Sequence, residues 1–213
     1  ALYEHREAGN HAAVQAQYDA SLAATRGTRF ESRCMFEYAK SLHYNAKDTT
    51  EAMRLYERIS EEYPTEAFAA SGSILEMGRI QLNDWAAPNT ACDTFELVVS
   101  QYPDSPFADD ALVAQAETAV KLARIDLIDS AERRLTAMVA PAAMRQKVQL
   151  CRAEYHAKAE GHRHRAAREY MRTFREFPAN TEAAALARIR AADMMAGNDF
   201  EACIRLYGEA ATD

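Results

Sequence analysis

The sequence predicts an all-α protein built from stacked antiparallel helix hairpins, and three observations carry that expectation. Punctuation is scarce: 7 Gly and 6 Pro in 213 residues are too few for an all-β chain, which turns every ten residues or so. Helix-stopping residues recur at Gly27, Pro64, Pro103, Pro141 and Pro178, spaced 37 to 39 residues apart. Upstream of each proline a small residue is followed four positions later by a large one: Ala52 and Tyr56, Ala91 and Phe95, Ala131 and Leu135, Ala166 and Tyr170. Val14 with Tyr18 and Ala202 with Leu206 fit the same pattern. A spacing of four puts both on one helical face, where the small residue admits a neighbouring helix and the large one fills the space beside it.

The elements follow in order. The second helices of six hairpins are predicted near 11–25, 49–63, 89–102, 129–140, 163–177 and 198–211. First helices fill the stretches near 29–45, 66–82, 105–124, 142–160 and 181–196, and the first hairpin is truncated at its start. The turn inside each hairpin is expected at Ala8-Gly9-Asn10, Ala46-Lys47-Asp48, Leu82-Asn83-Asp84, Asp126 to Asp129, Glu160-Gly161-His162 and Ala196-Gly197-Asn198. Start signals agree at Thr49-Thr50-Glu51, Pro88-Asn89-Thr90, Asp129-Ser130 and Thr181-Glu182, and Ser105-Pro106 supplies a cap with Pro at the first helical position. In the fourth hairpin Ala131 stands only ten residues before Pro141, so a shortened second helix is expected there. A lone hairpin buries too little core and must stack on its neighbours. Residues 1–213 therefore read as one repeat array without an internal linker.

Composition narrows the function. A formal net charge of −7 argues against a general nucleic-acid binder, which needs a basic surface to neutralise phosphates. No apolar run approaches the ~20 residues of a membrane span. Ala1 stands where an initiator Met is expected, which reads as processing or trimming that removed any targeting or anchoring segment. Cys34, Cys92, Cys151 and Cys203 form no CxxC pair and read as small buried hydrophobes. His156, His162 and His164 near Cys151 are the one cluster suggestive of metal. Cys151 and His156 diverge on a helix, however, and the arginines around the turn would repel a cation, so solvated turn histidines are expected. No phosphate loop, nucleophile elbow or metalloprotease motif occurs, and neither enzyme activity nor a cofactor is expected. Trp85 is expected to fold back onto the adjoining helix, with an exposed interface anchor as the alternative. Asp48 to Asp129 carries 16 acidic and 5 basic residues, whereas Pro141 to Pro178 carries 9 basic against 4 acidic, which suggests a polarised array.

These marks resemble the tetratricopeptide repeat, whose period is about 34 residues with Ala, an aromatic and a closing Pro. Ala52-Tyr56-Pro64, Ala91-Phe95-Pro103 and Ala166-Tyr170-Pro178 share that spacing. Leu55-Tyr56-Glu57 through Tyr63-Pro64-Thr65, and Phe95-Glu96-Leu97 through Tyr102-Pro103-Asp104-Ser105-Pro106-Phe107-Ala108, resemble a bacterial subgroup of cell-envelope repeat proteins. It includes the lipoprotein partner of the outer-membrane β-barrel assembly machine and the periplasmic Tol–Pal associated protein. The resemblance implies a right-handed superhelical solenoid and a non-catalytic adaptor that binds other proteins or peptide segments, without nucleic acid. It also implies a periplasmic, outer-membrane-associated location, with the cytoplasm as the alternative. A repeat-based receptor for small ligands or transport is the alternative function. In this family the first helices line the concave face, and the register counted from the closing proline puts Arg145, Arg152, Tyr155 and His156 there in hairpin five. Phe68 and Phe107 take corresponding positions in hairpins three and four. Together they would form a basic-aromatic wall for an acidic or carboxylate-ended segment.

Overall fold

The computed structural model describes residues 11–177 and 181–195. Over those residues the chain is a series of helices packed in sequence order, without a strand, as expected of a tetratricopeptide-like helical solenoid. The helices are α1 (His11–Thr25), α2 (Glu31–Ser41), α3 (Thr49–Glu62), α4 (Ala67–Asn83) and α5 (Pro88–Gln101). They continue with α6 (Ala108–Lys121), α7 (Ile125–Ala137), α8 (Ala142–Lys158), α9 (Arg163–Glu176) and α10 (Thr181–Met195). A π-helical turn, Leu42–Ala46, extends α2. The expected helix at 198–211, the first hairpin's opening stretch, Cys203 and the Ala202/Leu206 pair lie outside the described residues. The chain divides into two compact units, residues 1–111 and 112–213, with the break inside α6.

In the first unit α1 packs on α2, α2 on α3, α3 on α4 and α4 on α5, while α2 also touches α4, the first helix of the next hairpin. The predicted small/large pairs lie in this core: Val14 and Tyr18, Ala52 and Tyr56, and Ala91 and Phe95 are all buried. In the second unit Ala131 with Leu135 and Ala166 with Tyr170 are equally buried, along the sequence α7, α8, α9, α10. Helix α4 is enclosed on every side from Ala69 to Glu76. Its small residues Ala69, Ala70, Ser71, Gly72 and Ser73 allow that, since bulk on any face would hold a neighbour off.

The closing joints repeat at the backbone level. Tyr63, Tyr102 and Phe177, each before a proline, take φ/ψ of −126°/46°, −132°/57° and −129°/57°. A following proline disfavours the α conformation, so the helix must stop there. Tyr102 also donates its hydroxyl to the Pro64 carbonyl at 3.0 Å, tying one joint to the preceding one. At the other end of α3, Asp48 caps by accepting the Glu51 amide at 3.1 Å, and Pro88 occupies the first turn of α5.

The fourth hairpin departs from the sequence expectation. Asp126 to Asp129 is not a turn, and Asp129-Ser130 is not a helix start; both lie inside α7, which begins at Ile125. The turn is Leu122-Ala123-Arg124, closed by Ala123 at φ 55° with Arg124 N donating to Ala119 O at 2.9 Å. The second helix is displaced rather than much shortened, having 13 residues against 14 in α3, α5 and α9. Ser105-Pro106 likewise stands in a turn before the helix: the Phe107 amide donates to Ser105 Oγ, and α6 begins at Ala108.

Candidate protein-binding site

The C-terminal ends of the first helices α2 and α4 meet in the first unit. Glu76 interrupts the apolar run Ile74-Leu75-Glu76-Met77, and its residue is 5% exposed. A buried carboxylate must be paired, and three side chains attend to it. The Tyr44 hydroxyl donates to Oε2, Arg79 lies 2.6 Å from Oε1, and His43 Nδ1 is 3.9 Å from Oε2. That last separation is too long for a hydrogen bond, and Nδ1 is buried without a hydrogen-bond partner. His43 Nε2 lies 3.3 Å from Asp84 Oδ2, and the His43 ring packs on Tyr44 with centroids 4.2 Å apart. Burial and the Glu76 carboxylate push the Tyr44 phenol up to about 12, so it remains a donor.

The π turn makes this arrangement. Both Lys47 N and Asp48 N donate to the Leu42 carbonyl, with Lys47 in the left-handed region at φ 60°. The widened turn presents consecutive residues to different surroundings: His43 inward between the two carboxylates, Tyr44 43% exposed. Such turns recur at functional sites. Beside them the loop after α4 is pinned by Trp85 N to Ile80 O at 3.1 Å and Ala87 N to Gln81 O at 2.8 Å. Trp85 does not fold back as expected; it is 52% exposed. Ala86 at φ 51° turns the chain sharply after it.

The residues named from sequence fall into two groups, one in each unit. Phe68 and Phe107 come together at 5.1 Å, both against Phe36, which lies over Gly72. Phe68 is 37% exposed, and Arg33 lies 4.7 Å above its ring. Phe107 is partly buried against the core. The pair is inter-hairpin packing with one open edge.

In the second unit Arg152 is committed internally. It pairs with Asp129 at 2.5 Å and Glu132 at 2.6 Å. Glu132 in turn pairs with Arg172 at 3.1 Å, which reaches Glu176 at 2.8 Å, and Gln149 closes the circuit by donating to Glu176. Reversing Arg152 would set three carboxylates against one another, so it is a structural staple across α7, α8 and α9. His156 is 2% exposed and cannot face a partner. Burial, then the charges of Arg165, His162 and Arg152, hold its pKa below the ordinary imidazole range. Arg145 lies over the Phe177 ring at 5.7 Å, and Tyr155 is half-buried with its edge on His156. Of the four, Arg145, Arg152 and Tyr155 are half-buried, and of these three Arg152 has its guanidinium taken up by Asp129 and Glu132.

Sequence reasoning missed His43, Tyr44, Glu76, Arg79 and Asp84. The signal was Glu76 itself, a lone acid in an apolar run, which demands buried partners.

Residues 33–65, covering α2 from Arg33 onward, the π turn, α3 and its closing Pro64, match the tetratricopeptide repeat family. No curated protein matches the chain.

Proposed function

We propose that this chain is a non-catalytic scaffold that docks a segment of another protein on the Tyr44–Trp85 end of its first unit. Tetratricopeptide repeats generally mediate protein–protein interaction, and this surface lies on the helices of the matched repeat and its neighbour. The observation that carries the reading is the exposed Tyr44 ring held by Glu76, with the exposed Trp85 on the neighbouring loop, whose backbone is pinned to Ile80. Binding surfaces concentrate energy in Trp, Tyr and Arg, and a rigid support spares the cost of ordering them on association. Arg145 and Tyr155 form a second candidate surface in the other unit, suited to an acidic segment.

The finer reading is an adaptor in a bacterial envelope complex, such as outer-membrane protein assembly, acting in the periplasm. Its support is the sequence likeness of Leu55 to Thr65 and Phe95 to Ala108 to envelope repeat proteins. Affinity capture with this chain as bait, from separated envelope and cytosolic fractions of its source, tests both readings. A partner should be recovered from the envelope fraction and lost with Tyr44→Ala combined with Trp85→Ala, while the far-ultraviolet spectrum is unchanged. Undiminished capture by that variant rules out this surface, and recovery from cytosol alone rules out the envelope reading.

A further inference from the structure

We infer that the Tyr44–Trp85 end of the first unit recognises a cationic side chain, a lysine or arginine carried on an extended or helical segment of a partner protein. This rests on the docking reading above and names the partner's chemistry.

Four features of that surface converge on positive charge. The π turn after α2 and the last turn of α4 both end here, so the negative ends of two helix dipoles come to one surface, with the Leu42, Ile80 and Gln81 carbonyls taken up by backbone amides. Tyr44 and Trp85 offer exposed aromatic faces, and indole is the ring that best attracts a cation. Asp84 stands next to Trp85 in the chain with its side chain 40% exposed; His43 engages Oδ2, leaving Oδ1 without a bond among the described residues. Two of the nearby cations are already paired, Arg79 with Glu76 and Lys40 with Glu37 at 3.6 Å, while Lys47 is exposed at the end of the turn.

The wider field agrees. Residues 1–111 carry 18 acidic and 9 basic side chains, so a basic segment is steered toward this unit and an acidic one repelled. His43 adds a further mark of design toward Asp84. It is buried, with Nδ1 unpartnered, and it orients the carboxylate at the cost of that unsatisfied nitrogen.

The protein supplies its own reporter, because Trp85 is its one tryptophan. Titrating the full chain with acetyl-tetralysine amide while following Trp85 fluorescence should give a saturable change. The midpoint should rise at least about tenfold between ~0.05 M and ~0.5 M salt, as screening shortens the reach of the carboxylates and helix ends. It should rise by a similar factor in Asp84→Asn, whose fold is checked by far-ultraviolet dichroism; the salt series tests the same point without a mutation. Acetyl-tetraglutamate amide should produce no saturable change. If the acidic peptide binds and the basic one does not, the cation inference is overturned while docking at this surface stands. If neither peptide binds and Tyr44→Ala/Trp85→Ala still captures the partner, both are overturned.

Discussion

Two glycines inside α4 show how a single side chain sets the distance between helices. A Cβ on Gly78 would sit 2.4 Å from Phe95 Cε1 and 2.7 Å from Cδ1, and Phe95 is wholly buried. Alanine would favour the helix by about 1 kcal/mol, but overpacking a fixed ring costs ~1–3 kcal/mol. Gly78→Ala is therefore expected to lower the thermal midpoint; a rise would show that Phe95 gives way. Gly72 is the gentler case, since one of its two crowding rings, Phe107, is only partly buried and can move. The Ala91/Phe95 pair was legible in the sequence because its spacing repeats. The glycine receiving Phe95 was not, because a mid-helix glycine reads locally as weakness.

At the scale of the element, helix ends separate what the sequence reveals from what it conceals. Where a proline follows an aromatic, as at Tyr63, Tyr102 and Phe177, composition alone locates the stop. The turns at Lys47, Ala86, Ala123 and Val139 instead use ordinary residues at positive φ, between 51° and 60°. Nothing in their chemistry announces that conformation, which is why the turn of the fourth hairpin was expected at Asp126 to Asp129. These positions carry strain of roughly 1–2 kcal/mol each. Val139 is the most costly, being β-branched, and it is 87% exposed, so trimming it forfeits little burial. Val139→Gly is expected to stabilise the protein by about 1 kcal/mol in urea denaturation. An unchanged or lower midpoint would place the strain elsewhere. The candidate site was concealed for a related reason: His43, Glu76 and Asp84 are 8 to 41 residues apart in sequence and meet only through packing of α2 against α4.

For the whole molecule, protonation of His156 links pH to stability. Its folded pKa is lowered by burial first and then by Arg165, His162 and Arg152, with Asp129 opposing. The unfolded chain therefore takes up a proton near the ordinary value of ~6.5 while the folded chain still refuses it. The stabilisation is complete above that value and is lost as pH falls through the window toward the folded pKa. The thermal midpoint should decline on acidification from about pH 7 to about pH 5.5, and His156→Gln should flatten the decline. An equal decline in that variant would assign it to other groups.

The three aromatic–proline joints are alike in backbone geometry, and Tyr102 to Pro64 links two of them, so the chain docks successive hairpins through a repeated closing turn. A joint that accepts the preceding hairpin of its own chain has no means of telling it from the same hairpin on a second molecule. Refolding at high concentration is therefore expected to yield exchanged, interlocked chains, in proportions that fall on dilution.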